Sequence, residues 1–518
     1  MVSLGSYALV APLEETPLIL VFGIPFILWF WALFLQKKAK SRLETLLKPI
    51  LKRIAAWRFL LHGPSMIQQA FTQSHGDSFE ILAPDTRYVF VSSPKHIKEL
   101  DDAPDTVLSL QAASKHMLQP HYTMHGFNWF HRRGTEGVGF VRALRTLLTN
   151  NLPNILPDLS VIIRTRFSQF HAEHRLIKGE RHSPVYQTIV KLVVLSNAIS
   201  FFGHELAKDE ILMTAALAYI EETVFCAEIL RLLPKLLVPF VGGIIARRKK
   251  CHEVLFNALM PVAEERCRER DRLNLGQTVP KHADCIQWIM ETSPRKAPWT
   301  AKRIVHELMA IWFGSVHAMS TTVTFAIHDL CIHPEYVEPL REELKNRFAD
   351  FERTGNGLPL LDSFIKESAR LTPVESLSTR RCAIQPFTLS DGTKVNKGDW
   401  ACTPVRAIMQ HKDYYPEPLE FNGFRFVNPA LIDLKGKFKS CQPNPSNLVD
   451  VGDTYHVWGT GRMACPGRYY AAAIMKLIVA QVIQNYDCSL ADPEALRWWT
   501  WRSSMLPKES TMIIFRPL

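Results

Sequence analysis

The chain has no Cys-x-x-Cys pair, and its ten cysteines include no close pair, so neither a zinc site of that kind nor a disulfide framework has support. Glycine and serine never gather into a flexible linker and no internal repeat divides the 518 residues, which read as one large globular unit behind an anchor. Nucleic-acid motifs are also missing. The formal charge of +11 comes from scattered basic residues, which fits an anionic membrane or an acidic protein partner and excludes a nucleic-acid binder. Only one uncharged apolar run, residues 17–35, approaches the thickness of a bilayer. No basic residue precedes it, Glu14 and Glu15 stand before it, and Lys37, Lys38, Lys40 and Arg42 follow at once. By the positive-inside rule residues 1–16 are lumenal, 17–35 form a signal-anchor and the rest is cytosolic; a cleaved signal peptide wants the opposite flanks.

After the anchor, Leu43, Leu46, Leu47, Ile50, Leu51, Ile54 and Trp57 recur at helical spacing among lysines and arginines. Residues 36–64 therefore read as a basic amphipathic linker, or as a first core helix, and 65–518 as the globular domain. Two strand-like runs, 78–83 and 87–92, flank a turn at Pro84-Asp85-Thr86. Helical periodicity marks 138–152, 184–202, 210–233, 254–268, 300–333 and 359–371, with short strands over 380–403, so the fold is mainly α with small β-sheets. The apolar stretch 232–246 is broken by Pro234, Pro239, Gly242 and Gly243; it reads as a segment that dips into a membrane or covers a pocket, or as an ordinary buried helix-loop.

The chemistry concentrates at 458–467, Trp-Gly-Thr-Gly-Arg-Met-Ala-Cys-Pro-Gly. Gly459 and Gly461 let backbone approach a flat ligand closely, and Pro466 suits the first turn of the long apolar helix that follows. Cys465 then stands at a helix N-terminus, where unpaired amides favour thiolate, and a thiolate can bind haem iron and push electron density onto it. Upstream, Glu367 and Arg370 lie three apart on one helical face, and Arg425 is framed by aromatics in Phe421-Asn422-Gly423-Phe424-Arg425-Phe426.

Taken together, the three motifs resemble the cytochrome P450 family, whose haem loop reads aromatic-Gly-x-Gly-x-x-x-Cys-x-Gly. The resemblance implies a P450 fold behind an N-terminal transmembrane helix, haem b with Cys465 as its axial thiolate, and a Glu367–Arg370–Arg425 cluster that holds the cysteine loop. It places Trp458 beside the thiolate. It also assigns Arg145 and Arg380 to the haem propionates, with Arg142 beside them in Val141-Arg142-Ala143-Leu144-Arg145, where Val141 replaces the usual Trp. Met463 departs from the family's Arg or His, so Arg462 is expected to compensate. In the oxygen-activation segment, matched by Gly314 to Met319, His317 takes the acidic position, and Ala318 and Met319 the threonine positions. Proton delivery then falls to His317, Ser315, Ser320 or Thr321, or to a hydroxyl on the substrate. The bland alternative makes His317 a satisfied core histidine, with Ser320 and Thr321 bonded back to their own helix. By family position Phe313, Val316, Met319, Ser320, the segment from Val374 to Leu377, Met505 and Leu506 would line an apolar substrate pocket.

The function so implied is O2-dependent insertion of oxygen into a C–H bond of a lipophilic molecule. Electrons would come from NADPH through the membrane-bound cytochrome P450 reductase, with cytochrome b5 as a second donor. Lys435, Lys437, Lys439 and Arg468 would meet the reductase's acidic face at the endoplasmic reticulum membrane. Tyr122-Thr123-Met124-His125-Gly126-Phe127, the His317 variant and the 461–468 segment look like filamentous-fungal members that tailor terpenoid secondary metabolites, including indole diterpenes. The alternatives are a P450-fold enzyme of rearrangement, ring formation or C–C cleavage, and a non-catalytic membrane-anchored haem sensor.

Overall fold

The computed structural model describes residues 53–130, 139–177, 179–294, 296–431 and 445–518. The expected lumenal segment 1–16, anchor 17–35 and most of the linker 36–64 lie outside the described residues, as do Lys435, Lys437 and Lys439. The described end of the linker departs from a membrane-surface segment. Helix Phe59–Ser74 buries Phe59, Leu60 and Ile67 in the core, so the expected boundary at 64/65 falls inside a packed helix.

The strand run at 78–92 forms an antiparallel pair, Phe79–Leu82 with Arg87–Phe90. It opens a five-stranded sheet continued by Trp400–Thr403, Ser378–Ala383 and Leu108–Ser109. A second sheet joins Tyr486–Leu490, Met512–Pro517, Glu180–Pro184 and Leu176–Ile177; its pairing of Met512–Pro517 with Glu180–Pro184 spans so much sequence that no local pattern announces it. Two hairpins complete the β structure, among them Trp498–Trp501 with Ser504–Pro507.

Helices make up the body. Val185–Phe202 and the stretch 301–332 are apolar and long enough to cross a membrane by composition, but 78% and 72% of their apolar windows are buried inside the fold. A helix apolar on all sides belongs in a core, and these two form it together with Arg468–Asn485 and Pro359–Leu371. The expected continuous helix over 300–333 is two helices, Ala301–Ser315 and His317–Ile332, divided at Val316 (φ −95°, ψ −63°). Asn197 holds this break: its Nδ2 donates to the Ser315 carbonyl (3.2 Å) and hydroxyl (3.0 Å), while its Oδ1 accepts from the Tyr470 hydroxyl (3.0 Å).

The helix expected over 138–152 also changes character. Gly139–Arg142 is α-helical, Ala143–Leu148 forms a π-turn, and an α-helix resumes at Leu152–Glu173. The apolar stretch near 240 forms helix Val238–Arg248. Gly242 packs against Tyr122, so close that a Cβ there would sit 2.7 Å from its ring, and Leu236, Leu237 and Phe240 are left exposed.

Candidate active site

A cavity of about 520 Å³ lies between the 458–467 loop and the divided helix. Leu110, Met117, Leu144, Phe313, Met319 and Val374 contribute to a mostly apolar wall, and Cys465 opens into it from below. The cysteine loop owes its shape to its glycines. Gly459 has φ +81° and Gly461 φ +54°, and a Cβ on Gly461 would meet the Asp101 carboxylate at 2.7 Å. The loop is closed by the Cys465 N–H donating to the Trp458 carbonyl (2.8 Å), and the Trp458 indole N–H donates to the Leu448 carbonyl (2.6 Å). Trp458 and Gly459 line the cavity with Cys465, whereas Gly461 turns the chain behind it.

The following helix begins at Arg468, two residues later than the expected start at Pro466. Burial pushes the Cys465 thiol up, against the pull of the Gly467 and Arg468 N–H groups and the positive charges of Arg468 and Arg145. Those amides do favour the thiolate, as the sequence implies, while burial opposes it; a metal cation at the sulfur would tip the balance toward thiolate.

Beneath the loop, Glu367, Arg370 and Arg425 are fully buried and paired. Arg370 donates to both Glu367 oxygens (2.7 and 2.8 Å), and Arg425 Nε reaches the same two at 3.0 and 3.1 Å. Their remaining donors go to backbone carbonyls of Met409, Pro416 and Pro418, each at 2.7 Å. Every charged group is thus hydrogen-bonded, and the one positive charge that Glu367 leaves unmatched is spread over backbone carbonyls, the condition under which burying three of them is tolerable.

Above the cavity, one face of the divided helix lines the space with Ile311, Ser315, Ala318, Met319 and Thr322, at successive helical turns. His317, Ser320 and Thr321, expected to deliver protons, lie on the opposite face and do not line the cavity. His317 Nδ1 meets the Tyr186 hydroxyl at 3.1 Å, and burial lowers its pKa. Ser320 donates to the Val316 carbonyl four residues back (2.9 Å). The core-packing alternative thus describes His317 and Ser320. On this helix the hydroxyls at the cavity wall are Ser315, bonded to the Trp312 carbonyl (2.9 Å), and Thr322, bonded to the Ala318 carbonyl (3.0 Å). Helical spacing carried the signal for Thr322, because it lies four residues from Ala318 and seven from Ser315.

Of the expected pocket residues, Phe313, Met319, Val374 and Leu377 line the cavity. Val316 is fully buried at the helix break, and Met505 and Leu506 are absent from the wall. Their hairpin meets the 374–376 segment through backbone, the Met505 N–H donating to the Val374 carbonyl (2.8 Å) and the Ser376 N–H to the Ser503 carbonyl (2.7 Å).

The arginines divide similarly. Arg145 and Arg380 reach the cavity. The register of the π-turn leaves Arg142 exposed and outside the wall. Arg462 does not compensate for Met463 there. It bends away to the Ala103 carbonyl (2.8 Å) and Asp105 (3.3 Å), while Met463 itself lines the cavity. A residue the sequence reading missed, Arg381, also lines the cavity; it is buried and donates to Asp101 (3.2 Å). A bulge between Ser378 and Arg381, with Thr379 at φ +52°, breaks the strand where Arg380 leaves it. The Thr379 and Thr460 hydroxyls meet at 2.9 Å and tie that bulge to the cysteine loop. Arg468, expected at a partner surface, is spent internally on the carbonyls of Val449 and Cys465, both at 3.0 Å.

Residues 55–515 match the cytochrome P450 family model. The chain belongs to the cytochrome P450 family. It is 26% identical over 473 residues to the cytochrome P450 monooxygenase olcJ of Penicillium canescens, covering 88% of this chain and 85% of that protein. Identity to the monooxygenase paxP of Penicillium paxilli is also 26%, over 92% and 90% of the two chains. Among solved structures, retinoic acid-bound cyanobacterial CYP120A1 shares the fold, with a TM-score of 0.64 at 18% identity, over 89% of this chain and 96% of that one. The protein is thus a P450 oxidoreductase of the monooxygenase type, acting on a small molecule with O2 and a redox partner.

The family's haem-thiolate cofactor fits the residues present. One sulfur opens into an apolar space, the glycine-turned loop leaves room for a flat group, and Arg145 and Arg380 supply guanidinium donors suited to its carboxylates. Among the described residues no group of three or more His, Cys, Asp or Glu side chains gathers to hold a metal, which leaves a single-cysteine attachment as the matching donor set.

Proposed function

We propose that this P450 holds haem b through the Cys465 thiolate and inserts one atom of O2 into a C–H bond of a terpenoid, indole diterpene-like secondary metabolite. The observation that carries the reading is the cavity itself, apolar, with Cys465 below and the Ser315–Thr322 helix face above. The haem supplies oxygen activation, and the protein supplies placement, protons and exclusion of water. Cys465 binds the iron, with the Gly467 and Arg468 N–H groups stabilising its charge. Arg145 and Arg380 hold the propionates, and Glu367, Arg370 and Arg425 keep the loop in register from below. Phe313, Met319, Val374 and Leu377 orient the substrate by shape. With Ala318 at the family's threonine position, Thr322, one turn along the same face, positions the proton donor at the cavity.

The terpenoid assignment rests on the motif resemblance, and the Penicillium relatives agree with a fungal setting. Electrons come from NADPH through cytochrome P450 reductase, with cytochrome b5 as a second donor. Residues 17–35 anchor the chain in the endoplasmic reticulum membrane. Exposed Leu61, Leu236, Leu237, Phe240, Trp498 and Trp499 support apolar contact with that membrane.

The deciding experiment is the absorption spectrum of the reduced, carbon monoxide-bound protein, for wild type and Cys465→Ser. A far red-shifted Soret band in wild type that is lost in the variant is expected. Bound haem with no such band in wild type overturns thiolate ligation and the monooxygenase mechanism with it.

A further inference from the structure

Within an apolar cavity one side chain stands out. Glu375 is the sole carboxylate among the described residues that line it. It sits four residues after Leu371, where helix Pro359–Leu371 ends, in the segment that also gives Val374 and Leu377 to the wall.

Its carboxylate is held from three directions. Oε1 accepts from the Ser504 hydroxyl (2.6 Å); Oε2 accepts from the Ser503 hydroxyl (2.7 Å) and is ion-paired with Arg380 Nη2 (2.9 Å). The backbone is pinned as well, since Glu375 and Ser504 form an antiparallel bridge between this segment and the terminal hairpin. A carboxylate offers about four lone-pair positions, and three have protein donors here, which leaves one on Oε1. About a third of the side chain (33%) is still accessible. Arg380 pairs with the carboxylate through Nη2 and keeps other donors for a propionate, so the charge is met by a cation shared between the two and the vacancy suits a neutral hydroxyl or N–H donor, which gives up little solvation on entering. An ammonium group would lose its hydration against a carboxylate whose charge is already met.

We propose that Glu375 is the polar anchor of the substrate pocket, accepting a hydrogen bond from a neutral hydroxyl or N–H group on an otherwise apolar substrate. This deepens the monooxygenase reading and rests on it. Three fixed donors hold the carboxylate in one orientation before the substrate arrives, so the contact costs little ordering. The apolar wall contributes affinity, and Glu375 sets which end of the molecule faces away from the reacting carbon. A substrate lacking the donor leaves a buried acceptor without its partner, and that is where discrimination comes from.

The test uses the ferric holoenzyme and two probes, the tricyclic diterpene alcohol dehydroabietinol and its methyl ether, with Kd read from the substrate-induced Soret shift. Wild type is expected to bind the alcohol about tenfold more tightly than the ether, the scale of a hydrogen bond to a charged acceptor. Glu375→Leu is expected to bring the two within about twofold by weakening the alcohol alone. Equal affinities in wild type overturn the proposal, as does a preference that survives in Glu375→Leu. If Glu375 only steadies Arg380, the variant releases haem faster and shifts both probes alike, and the proposal fails. Glu375→Gln, which keeps an oxygen acceptor, is expected to retain part of the preference, and it decides the matter should Glu375→Leu not retain haem. Absence of the red-shifted carbon monoxide band in wild type is a separate result that strikes the monooxygenase reading itself.

Discussion

Below the cavity, three charged side chains spend their polar groups on one another and on backbone carbonyls, with nothing left to solvent. Above it, the divided helix sorts its polar groups by face, with His317 and Ser320 tied into the core and Ser315 and Thr322 turned toward the cavity. The lower arrangement is rigid because every partner is fixed and buried, so removing one strands the others. The upper one tolerates change on its back face, where a hydroxyl bonded to its own helix adds little, and is sensitive on the front, where a lost hydroxyl faces the reaction. Burial alone does not tell the back face from the lower cluster, since Ser320 and Thr321 are as buried as Glu367 and Arg370.

The comparison breaks most visibly from below. Arg425→Ala deprives the carbonyls of Pro416, Glu417 and Glu420 of its donors and opens a buried void, and a loss of about 3–5 kcal/mol is expected, read as a fall in the thermal midpoint with poor haem retention. An Arg425→Ala protein as stable as wild type would show that the cluster does not support the loop.

The far end of the upper helix carries a titration. Burial raises the Glu307 carboxyl from its ordinary 4.5 to about 7, with Arg303 opposing. A raised carboxyl pKa means that the folded state holds its proton more tightly than the unfolded chain. Stability from this group is therefore full below about pH 4.5 and is lost as pH rises toward and through about 7. Glu307→Gln is expected to flatten that decline, worth up to roughly 3 kcal/mol, when denaturant midpoints at pH 5 and pH 8 are compared. An unchanged slope would place the carboxyl's titration elsewhere.

The two faces are compared directly by Thr322→Val and Ser320→Ala. The first is expected to lower product formed per NADPH consumed by about tenfold, less than a direct proton-transfer group contributes because Thr322 only positions the donor. The second should leave coupling unchanged. Ala318→Thr in the Thr322→Val background is expected to recover part of the loss. If Ser320→Ala uncouples and Thr322→Val does not, the front and back assignments are reversed. The smallest effect is on stability. Ser320→Ala removes one bond back to the helix and is expected to shift unfolding by less than about 1 kcal/mol, measured in urea.

Much of the lower half was legible in the chain. The loop 458–467 is local, and its glycines, proline and cysteine state their own geometry. Glu367 and Arg370 are joined by helical spacing, although Arg425 meets them only because the fold returns the chain. The front face of the upper helix was legible too, through the spacing of Ser315, Ala318 and Thr322, but reading the motif position by position directed attention to its back face. Asn197 and Tyr470 gave no sign of their role at the helix break, since an isolated polar residue in an apolar helix does not say what it will meet. Arg142 and Arg462 looked equivalent to Arg145 and Arg380 as arginines; a π-turn and a nearby Asp105 separated them.

Sequence alone determined the family, the mainly α class and the cysteine that opens into the cavity, because those follow from local spacing and from residues whose backbone demands or chemistry few others share. Tertiary structure decided which arginines reach the cavity, which hydroxyls face it, and that Glu375 is its one carboxylate among the described residues. Those outcomes depend on packing between segments distant in sequence, where a turn of helix or a single bulge moves a side chain from the wall of the site to the core or to the surface.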